Sequence, residues 1–290
     1  MADWISIASD GLVAQINPFG AELSSLSDTR GREYMTDADP AYWTGRAPLL
    51  FPIVGQLNGD TLRVDGREFT MQKHGFARKS VFSVVRHDVN RATFRLIDNE
   101  ATRAQYPFAF ELEADFALDG MTLAMTITIR NPSDVPLPAS FGYHPAFAWP
   151  LSGGDRAGHS IEFEHNEPEA IAMLAADGTI LPELRATPVE GRRLMPTDAM
   201  FAQDALIWMR PHSHRLTYGA EDGAALDIAF PDTSFLGIWT KPGAHYLCIE
   251  PWAGHADPQG FTHDITEKPG IVMIAPGKAV NFRMTVTVRP

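Results

Sequence analysis

The sequence has 290 residues, of which 44% are hydrophobic and 21% are charged, with a formal net charge of −12 at pH 7. This composition is ordinary for a soluble globular protein and provides enough apolar residues for a large core. The acidic balance argues against broad attraction to nucleic acid or to an anionic membrane surface. We therefore predict neither a nucleic-acid partner nor a membrane partner.

The chain contains one cysteine, Cys248. A single cysteine excludes an intramolecular disulfide and any zinc or iron–sulfur site built from several thiolates. The first residues lack a basic segment followed by an apolar one, and no stretch approaches the roughly 18 apolar residues that a spanning helix needs. These features predict a reducing, cytoplasmic location.

The predicted elements begin with a single helical turn at 37–43, where Asp39 can cap the turn and Pro40 takes the first helical position. Further along, apolar and polar residues alternate, which predicts half-buried β-strands separated by Asn-Gly, Asp-Gly and Pro-Gly turns. The alternation is clearest in the segments 92–97, 110–118, 121–130 and 282–288.

Helical patterns are rare, and the segment 169–178 fits a short helix or a strand equally well. Strands and helices do not alternate regularly, which argues against a Rossmann or α/β-barrel fold. Repeats of fixed period, low-complexity tracts and linker-like stretches are missing from the sequence. We predict an all-β protein, a large antiparallel β-sandwich with few short helices, forming a single domain over residues 1–290.

Several common catalytic motifs are missing from the sequence, among them G-x-G-x-x-G, the P-loop, H-E-x-x-H and G-x-S-x-G. Their absence argues against nucleotide cofactors and serine hydrolysis, and we expect no cofactor. The segment HSH at 212–214 places two histidines on one strand face without a third ligand nearby, so we interpret it as surface and expect no metal.

A histidine interrupts the sandwich pattern in SFGYHPAFAW, residues 140–149. In a strand, Phe141 and Tyr143 face one side, and His144 faces the other side behind Gly142. Pro145 cannot donate a ladder hydrogen bond and predicts that the strand ends there. The aromatic residues of this segment suit a satisfied core histidine as well as a proton-transfer group.

A glutamate ends an apolar strand in HYLCIEPWAG, residues 245–254. Tyr246, Cys248 and Glu250 share one face of that strand. A carboxylate there is costly unless it is paired, and desolvation raises its pKa, which suits a general base near neutral pH. Pairing with an arginine is the structural alternative, and we favour a functional role.

Two more segments carry candidate groups without deciding their role alone. In WTGRAPLLFPIVGQLNG, residues 43–59, Arg46 precedes an apolar run and fits either a site or the mouth of a buried strand. In KHGFARK, residues 73–79, His74 fits either a surface loop or a proton-handling, anion-binding group. A glutamate and histidines at strand ends, near aromatic residues, predict a proton-transfer site that binds sugars.

Five motifs, in the order in which the family has them, make the chain resemble the aldose 1-epimerase (galactose mutarotase-like) superfamily, particularly its compact bacterial members. The motifs are GAELSSL (20–26), RAPLLFPIVGQLNGD (46–60), KHGFAR (73–78), GYHPAF (142–147) and CIEPWAG (248–254). The region 150–200 matches none of the motifs. The resemblance implies the antiparallel sandwich of that superfamily with an open sugar-binding cleft.

The resemblance also implies an activity, the interconversion of the α and β anomers of a free aldose without a cofactor. By position in the motifs, Glu250 matches the general base and His144 the general acid. His74 and Arg46 match groups that hold the ring oxygen and neighbouring hydroxyls, and Asp204 matches a hydroxyl-binding aspartate. The expected partner is a monosaccharide, and the protein is expected to be a monomer or a homodimer.

Two alternatives share this fold. A hexose-6-phosphate 1-epimerase would use clustered cations, which Lys73, Arg78 and Lys79 can supply. A non-catalytic sugar-binding or sensor protein would not need an acid–base pair, although a fold alone does not fix the function. A glycoside hydrolase or lyase is the weakest alternative, because the sequence shows no supporting pair of carboxylates.

Overall fold

The protein forms a sandwich of two large antiparallel sheets, seen in a computed structural model that describes residues 4–152 and 154–290. One sheet has nine strands and the other has eight, and the smaller sheets have two or three strands each. The predicted all-β antiparallel sandwich is confirmed.

The strands of the first half of the chain run from the N-terminal three-stranded sheet to the middle of the larger sheet. They are β1 Ile5–Ala8, β2 Leu12–Asn17, β3 Glu22–Asp28, β4 Leu49–Leu50, β5 Thr61–Val64, β6 Arg67–Thr70, β7 Ser83–His87, β8 Arg91–Ile97, β9 Glu111–Asp119 and β10 Thr122–Arg130. Helical structure here consists of α1 Glu100–Arg103 and 3-10 turns at Asn58–Asp60 and Ala77–Lys79.

The strands of the second half of the chain supply most of the eight-stranded sheet. They are β11 Leu137–Ala139, β12 Phe141–Tyr143, β13 Ala146–Ala148, β14 His159–Phe163, β15 Ile171–Leu174, β16 Ile180–Arg185, β17 Arg193–Leu194, β18 Leu206–Trp208, β19 Arg215–Ala220, β20 Ala225–Ala229, β21 Phe235–Trp239, β22 Tyr246–Ala253, β23 Val272–Ile274 and β24 Ala279–Arg289. Further 3-10 turns span Asp198–Phe201 and Ile265–Glu267.

The nine-stranded sheet has the strand order β17-β14-β19-β20-β24-β10-β9-β8-β7. The eight-stranded sheet has the order β16-β15-β18-β21-β22-β12-β4, with β13 also paired to β22. Smaller sheets are formed by β1-β2-β3, β5-β6 and β11-β23.

Aromatic residues hold the two large sheets together. The ring of Phe141 on β12 stacks on Phe282 of β24, with 5.3 Å between ring centroids. The hydroxyl of Tyr143 donates to the main-chain oxygens of Met125 and Phe282, at 3.1 and 2.8 Å. The face of β12 that carries Phe141 and Tyr143 therefore lies in the core between the sheets, and the opposite face borders the cleft.

Strand β22 is buried along its whole length, but its two faces differ. Leu247 and Ile249 belong to the main core, whereas Tyr246 and Cys248 pack in a separate small cluster on the opposite face. Because side chains alternate along a strand, Glu250 falls on the face away from the main core. The face assignment predicted from the sequence is confirmed for this strand.

Two helix predictions have different outcomes. At 37–43 the chain makes a turn and not a helix, although Asp39 does cap it, since its carboxylate accepts from the amide of Ala41 at 2.9 Å. The ambiguous segment 169–178 contains strand β15. None of the helices in the described part of the chain is long and apolar enough to cross a membrane.

Candidate active site

A cleft of about 230 Å³ opens on the eight-stranded sheet, on the face that points away from the core. It brings together four of the five site residues predicted from the sequence. Its lining consists of Trp43, Val54, Gly55, Lys73, His74, Arg78, His144, Leu174, Gly178, Ile180, Asp204, Ala205, Ile207, Trp239, Glu250, Trp252, His255 and Ala256.

His144 and Glu250 meet at the floor of this cleft because of the strand register. Gly142 of β12 pairs with Trp252, and Ala146 of β13 pairs with Cys248, both on β22. The same register on both sides places His144 directly opposite Glu250. The imidazole Nε2 lies 3.2 Å from the carboxylate Oε2, and both side chains are more than 90% buried.

Burial changes the proton affinities of this pair in opposite directions. It raises the pKa of the Glu250 carboxyl well above its usual value, and the nearby charge of Asp204 adds to that rise. Burial lowers the pKa of His144 to about 3, helped by the positive charges of Arg78 and Lys73. Both shifts disfavour the charged form, as expected for groups taken out of water. Both shifts therefore favour the uncharged forms, in which the carboxyl holds the one exchangeable proton of the pair and the imidazole is neutral.

His74 is fixed by a two-way bond with the main chain of Gly55. Its amide donates to the Gly55 oxygen at 2.8 Å, and its Nδ1 accepts from the Gly55 amide at 3.1 Å. An accepting Nδ1 requires the tautomer with hydrogen on Nε2, so the imidazole presents a donor. Burial holds the pKa of His74 well below its usual value, which keeps the ring neutral.

The loop that presents His74 has an unusual backbone. His74 has φ +66°, and the next residue, Gly75, has φ +69°. A Cβ on Gly75 would lie 2.2 Å from the main-chain oxygen of Phe51, so only glycine fits here. A left-handed histidine costs free energy, of order 1 kcal/mol or more, and such conformations cluster at functional sites.

Aromatic rings surround His144, but they differ from those expected. Trp43 and Trp239 lie beside its imidazole, with ring centroids at 5.0 and 5.9 Å. Phe141 and Tyr143, which are its neighbours in sequence, face the opposite side and pack in the main core. Only tertiary structure brings Trp43 and Trp239 here, because they come from distant segments.

A third indole, that of Trp252, forms part of the cleft floor beside Glu250. A Cβ on Gly142 would lie 2.6 Å from the indole of Trp252, and one on Gly237 would lie 2.4 Å from it. The ring therefore lies across β22, in space left by glycines on the two neighbouring strands. A flat indole in this position can pack against the C–H face of a pyranose.

Charged groups stand at the rim of the cleft. Asp204 is exposed in a left-handed turn with φ +77°, just before β18. Lys73 is exposed, and the guanidinium of Arg78 donates to the Lys73 main-chain oxygen at 2.9 Å. The Nε of Arg78 is buried without a hydrogen-bond partner among residues 4–152 and 154–290. Arg78 was expected only as one of three cations for binding a phosphate, so its place in the cleft beside the sugar-binding candidates is new.

Arg46 lies outside the cleft, in contrast to the prediction. Its guanidinium donates to the main-chain oxygens of Thr36 at 2.8 Å and Ser24 at 3.2 Å. Its amide donates to the buried carboxylate of Glu22 at 2.8 Å. These bonds direct the side chain toward the N-terminal sheet, and the guanidinium that reaches the cleft belongs to Arg78.

One cluster in the described residues has the composition of a metal site. His144, Cys248 and Glu250 offer ligand atoms within 4.8 Å of one another. Burial raises the pKa of the Cys248 thiol well above its usual value, which disfavours the thiolate that a metal requires. A metal here would also occupy both members of the acid–base pair.

The comparison with known proteins identifies the family. A family model described as aldose 1-epimerase matches residues 3–205. The chain belongs to the aldose 1-epimerase family, which confirms the resemblance seen in its motifs. The chromosomal protein LacX of Lactococcus lactis is 30% identical to it over 283 residues, covering 94% of this chain and 95% of LacX.

Solved structures agree with this assignment. A galactose mutarotase related enzyme from Lactobacillus acidophilus is 28% identical, with a TM-score of 0.91 and coverage of 99% of this chain and 97% of that one. A galactose mutarotase-like protein from Lactobacillus casei is 25% identical, with a TM-score of 0.91 and coverage of 99% and 100%. The similarity therefore extends beyond residue 205, where the family match ends, and includes the strand that carries Glu250.

Proposed function

We propose that this protein is an aldose 1-epimerase, an isomerase that interconverts the α and β anomers of a free aldose by opening and closing the ring. The observation that carries the proposal is the contact between His144 and Glu250 on the floor of a cleft. Anomer exchange needs one proton removed from the C1 hydroxyl and another delivered to the ring oxygen. Glu250 performs the first transfer and His144 the second.

The spacing of the pair suits this reaction. The hydroxyl oxygen and the ring oxygen of a hemiacetal are both bonded to C1, so the base and the acid that serve them must also stand close together. With 3.2 Å between Nε2 and Oε2, the sugar lies above both groups, so that each reaches one oxygen.

The single proton of the pair meets the need of the reaction. With the proton on His144 and a charge on Glu250, the pair is ready to open the ring, and ring closure on the other face of C1 reverses both transfers. The raised pKa of the carboxyl and the lowered pKa of the imidazole favour the neutral arrangement at rest. Hydrogen bonds from sugar hydroxyls to the carboxylate favour the charged one.

The remaining polar groups position the sugar. His74 presents an Nε2–H donor, which suits the ring oxygen or a neighbouring hydroxyl. Asp204 accepts from a hydroxyl at the rim, and Arg78 takes the role that the sequence assigned to Arg46. In this mechanism the protein needs neither a metal nor a cofactor.

The direct test is NMR exchange spectroscopy between anomers of free aldoses. The wild-type protein should accelerate exchange above the rate in buffer, and Glu250→Gln should lower that rate by roughly 10²–10⁴-fold. Glu183→Gln, an exposed glutamate on β16, is the matched control and should behave as wild type. Wild-type exchange in Glu250→Gln would remove the carboxylate from the mechanism, and sugar binding without acceleration would indicate the sugar-binding or sensor alternative.

A second candidate is a hexose-6-phosphate 1-epimerase, favoured by the presence of Lys73 and Arg78 in the cleft. The third cation expected for a phosphate site lies elsewhere, since the ammonium of Lys79 contacts the amide oxygen of Gln72. Including glucose 6-phosphate and galactose 6-phosphate in the same measurement distinguishes the two activities. The single-domain organisation, the cytoplasmic location and the choice between monomer and homodimer stay predictions.

A further inference from the structure

The indole N–H of Trp252 is a hydrogen-bond donor that the rest of the fold does not use. Trp252 is 6% exposed, and its Nε1 has no hydrogen-bond partner among residues 4–152 and 154–290. An indole nitrogen can only donate, and a buried donor without an acceptor is costly. The ring packs in an apolar cluster with Leu50, Val54 and Ile207, whose side chains offer no acceptor. Any acceptor must therefore be a polar group of the cleft or a ligand.

Two glycines show where the N–H edge of the indole lies. Gly142 pairs with Trp252 on one side of β22, and Gly237 pairs with Glu250 on the other side. A Cβ on Gly142 would lie 2.6 Å from Cδ1 of the indole, and one on Gly237 would lie 2.4 Å from Cζ2. Since Nε1 lies between these two carbons along the edge of the ring, this edge runs diagonally across β22, between Trp252 and Glu250. The indole N–H is therefore beside the side chain of Glu250.

The electrostatics of Glu250 agree with this geometry. Burial raises the pKa of its carboxyl, whereas the charge of Lys73 and the indole N–H of Trp252 act to lower that pKa. The N–H is thus near enough to act on the carboxyl, although the two groups do not make a hydrogen bond here. A donor stabilises a charged carboxylate far more than a neutral carboxyl. Its effect should therefore grow when Glu250 becomes charged.

We propose, building on the epimerase activity proposed above, that Trp252 is a positioning residue whose Nε1–H donates to Glu250 when this carboxylate is charged. Oε2 of Glu250 faces the imidazole of His144 at 3.2 Å, which leaves Oε1 for the indole. The indole keeps its proton, and the single proton of the pair moves from the carboxyl to the imidazole. The donor thereby favours the arrangement from which ring opening begins.

Other titratable and charged groups surround Glu250, and a substitution at position 252 leaves all of them in the chain. The nearest on the sheet are His144, Cys248 and Tyr246, and burial raises the pKa of the thiol and of the phenol, which keeps both neutral. Those at the border of the cleft are Lys73, His74, Arg78, Asp204 and His255. Because these groups are unaltered, a change in pH dependence can be assigned to the indole.

The experiment measures anomer exchange against pH in Trp252→Phe, which keeps a flat apolar ring and removes the N–H. The sugar is D-glucose or D-galactose, whichever the wild type exchanges faster. We expect kcat to be about tenfold lower, since a hydrogen bond to a charged group has at least this effect, and KM to change less. The pKa at which the pair releases its proton should rise, so the alkaline limb of kcat/KM should shift upward by about 1 pH unit. The rate in buffer is subtracted at each pH.

Trp208→Phe is the matched control. The Nε1 of Trp208 is also buried without a partner in the described part of the chain, but its ring packs on Phe163 in the main core, with 5.7 Å between centroids. Trp208 does not line the cleft. Its variant should keep the wild-type rate and pH dependence. Thermal unfolding of both variants checks that the fold is retained.

A second measurement uses the wild-type side chain and does not depend on activity. In protein labelled with 15N-tryptophan, the indole N–H signal of Trp252 should shift with pH as Glu250 loses its proton. In Glu250→Gln the signal should stay constant over the same pH range. This comparison tests the contact even if Trp252→Phe fails to fold.

Each outcome has a separate meaning. A slower Trp252→Phe with the pH dependence of wild type overturns the inference, since the ring would then act through packing alone. Wild-type kinetics in Trp252→Phe, or an indole signal that titrates equally in Glu250→Gln, also overturns it and leaves the epimerase activity standing. If wild type does not accelerate exchange, the proposed function fails, and the indole signal still reports whether Trp252 contacts the charged carboxylate.

Discussion

In each of two buried pairs in the described part of the chain, a basic side chain contacts a carboxylate, and the two pairs are built differently. Lys268 and Asp257 are in direct contact, with side chains 1% and 3% exposed. His144 and Glu250 are nearly as buried, at 9% and 3%. Burial alone therefore does not distinguish a structural pair from a catalytic one.

The difference lies in how the remaining polar atoms are used. The second oxygen of Asp257 accepts from the amide of Asn58 at 2.9 Å, so the pair ties the loop before β5 to the turn that contains Lys268. The Nδ1 of His144 has no hydrogen-bond partner in the described residues, and its ring borders the cleft. A polar atom without a partner among the described residues, in a ring that borders the cleft, distinguishes this pair from that of Lys268 and Asp257.

Breaking the structural pair should give the largest loss of stability. Lys268→Met leaves the Asp257 carboxylate buried without its partner, and removing one member of such a pair costs about 3–5 kcal/mol. Urea denaturation measures this as a lower midpoint. The folded fraction should keep its rate of anomer exchange, because Lys268 does not line the cleft.

Lys278→Met is the control for that measurement, since Lys278 is exposed. Its midpoint should stay near that of wild type. A loss below about 1 kcal/mol for Lys268→Met would show that Asp257 is satisfied without the lysine, and the contrast between the two pairs would then fail.

His255 lines the cleft and lies near Lys268 and Asp257, and its substitution should give an intermediate effect that depends on pH. Burial, aided by the charge of Lys268, lowers the pKa of His255 to about 4, below its usual 6.5. Between these two pH values the unfolded chain binds a proton at this histidine and the folded protein does not, so the free energy of unfolding falls as pH drops from about 6.5 toward 4. At pH 5 this contribution is about 2 kcal/mol.

His255→Gln removes that contribution. The difference between the unfolding free energies at pH 7 and pH 5 should therefore be smaller in the variant than in wild type by about 2 kcal/mol. His263→Gln, at a side chain 68% exposed, should leave the difference unchanged. An identical pH dependence in wild type and His255→Gln would contradict the assignment of a neutral, buried imidazole.

Substitution of Glu250 should have the smallest effect on stability and the largest effect on activity. The pKa of Glu250 is raised by burial, so this residue stabilises the fold at low pH and the stabilisation is lost as pH rises above 4.5. Glu250→Gln carries no charge, and its unfolding free energy at pH 7 should be within about 1 kcal/mol of wild type, or higher. A loss of several kcal/mol would make Glu250 a structural residue like Asp257.

Much of the fold was accessible from the sequence because alternation is a local property. The period of two placed Glu250 and Cys248 on one face of β22 and Ile249 on the other, and the structure agrees. The same period separated His144 from Phe141. Pro145 correctly predicted the end of β12.

The part that failed depends on contacts between distant segments. Arg46 and Arg78 both lie in motifs of the family. The local sequence does not show that the carbonyl oxygens of Ser24 and Thr36 accept hydrogen bonds from the guanidinium of Arg46. The roles of Trp43 and Trp239 beside His144 were hidden for the same reason. The small residue at position 237 was the one available signal for the indole floor, since glycine inside a strand often marks close approach.

The shared register of β12 and β13 has a consequence for how the site responds to a sugar. Both strands keep their alignment with β22 on either side of His144, so the sheet fixes the positions of His144 and Glu250, the two residues proposed to be catalytic. Parting the imidazole from the carboxylate cannot occur by sliding one strand past another, because a shift of one residue would turn every side chain over. Opening the pair for a ligand is therefore a rotation about side-chain bonds, and it should be fast compared with movements of whole elements.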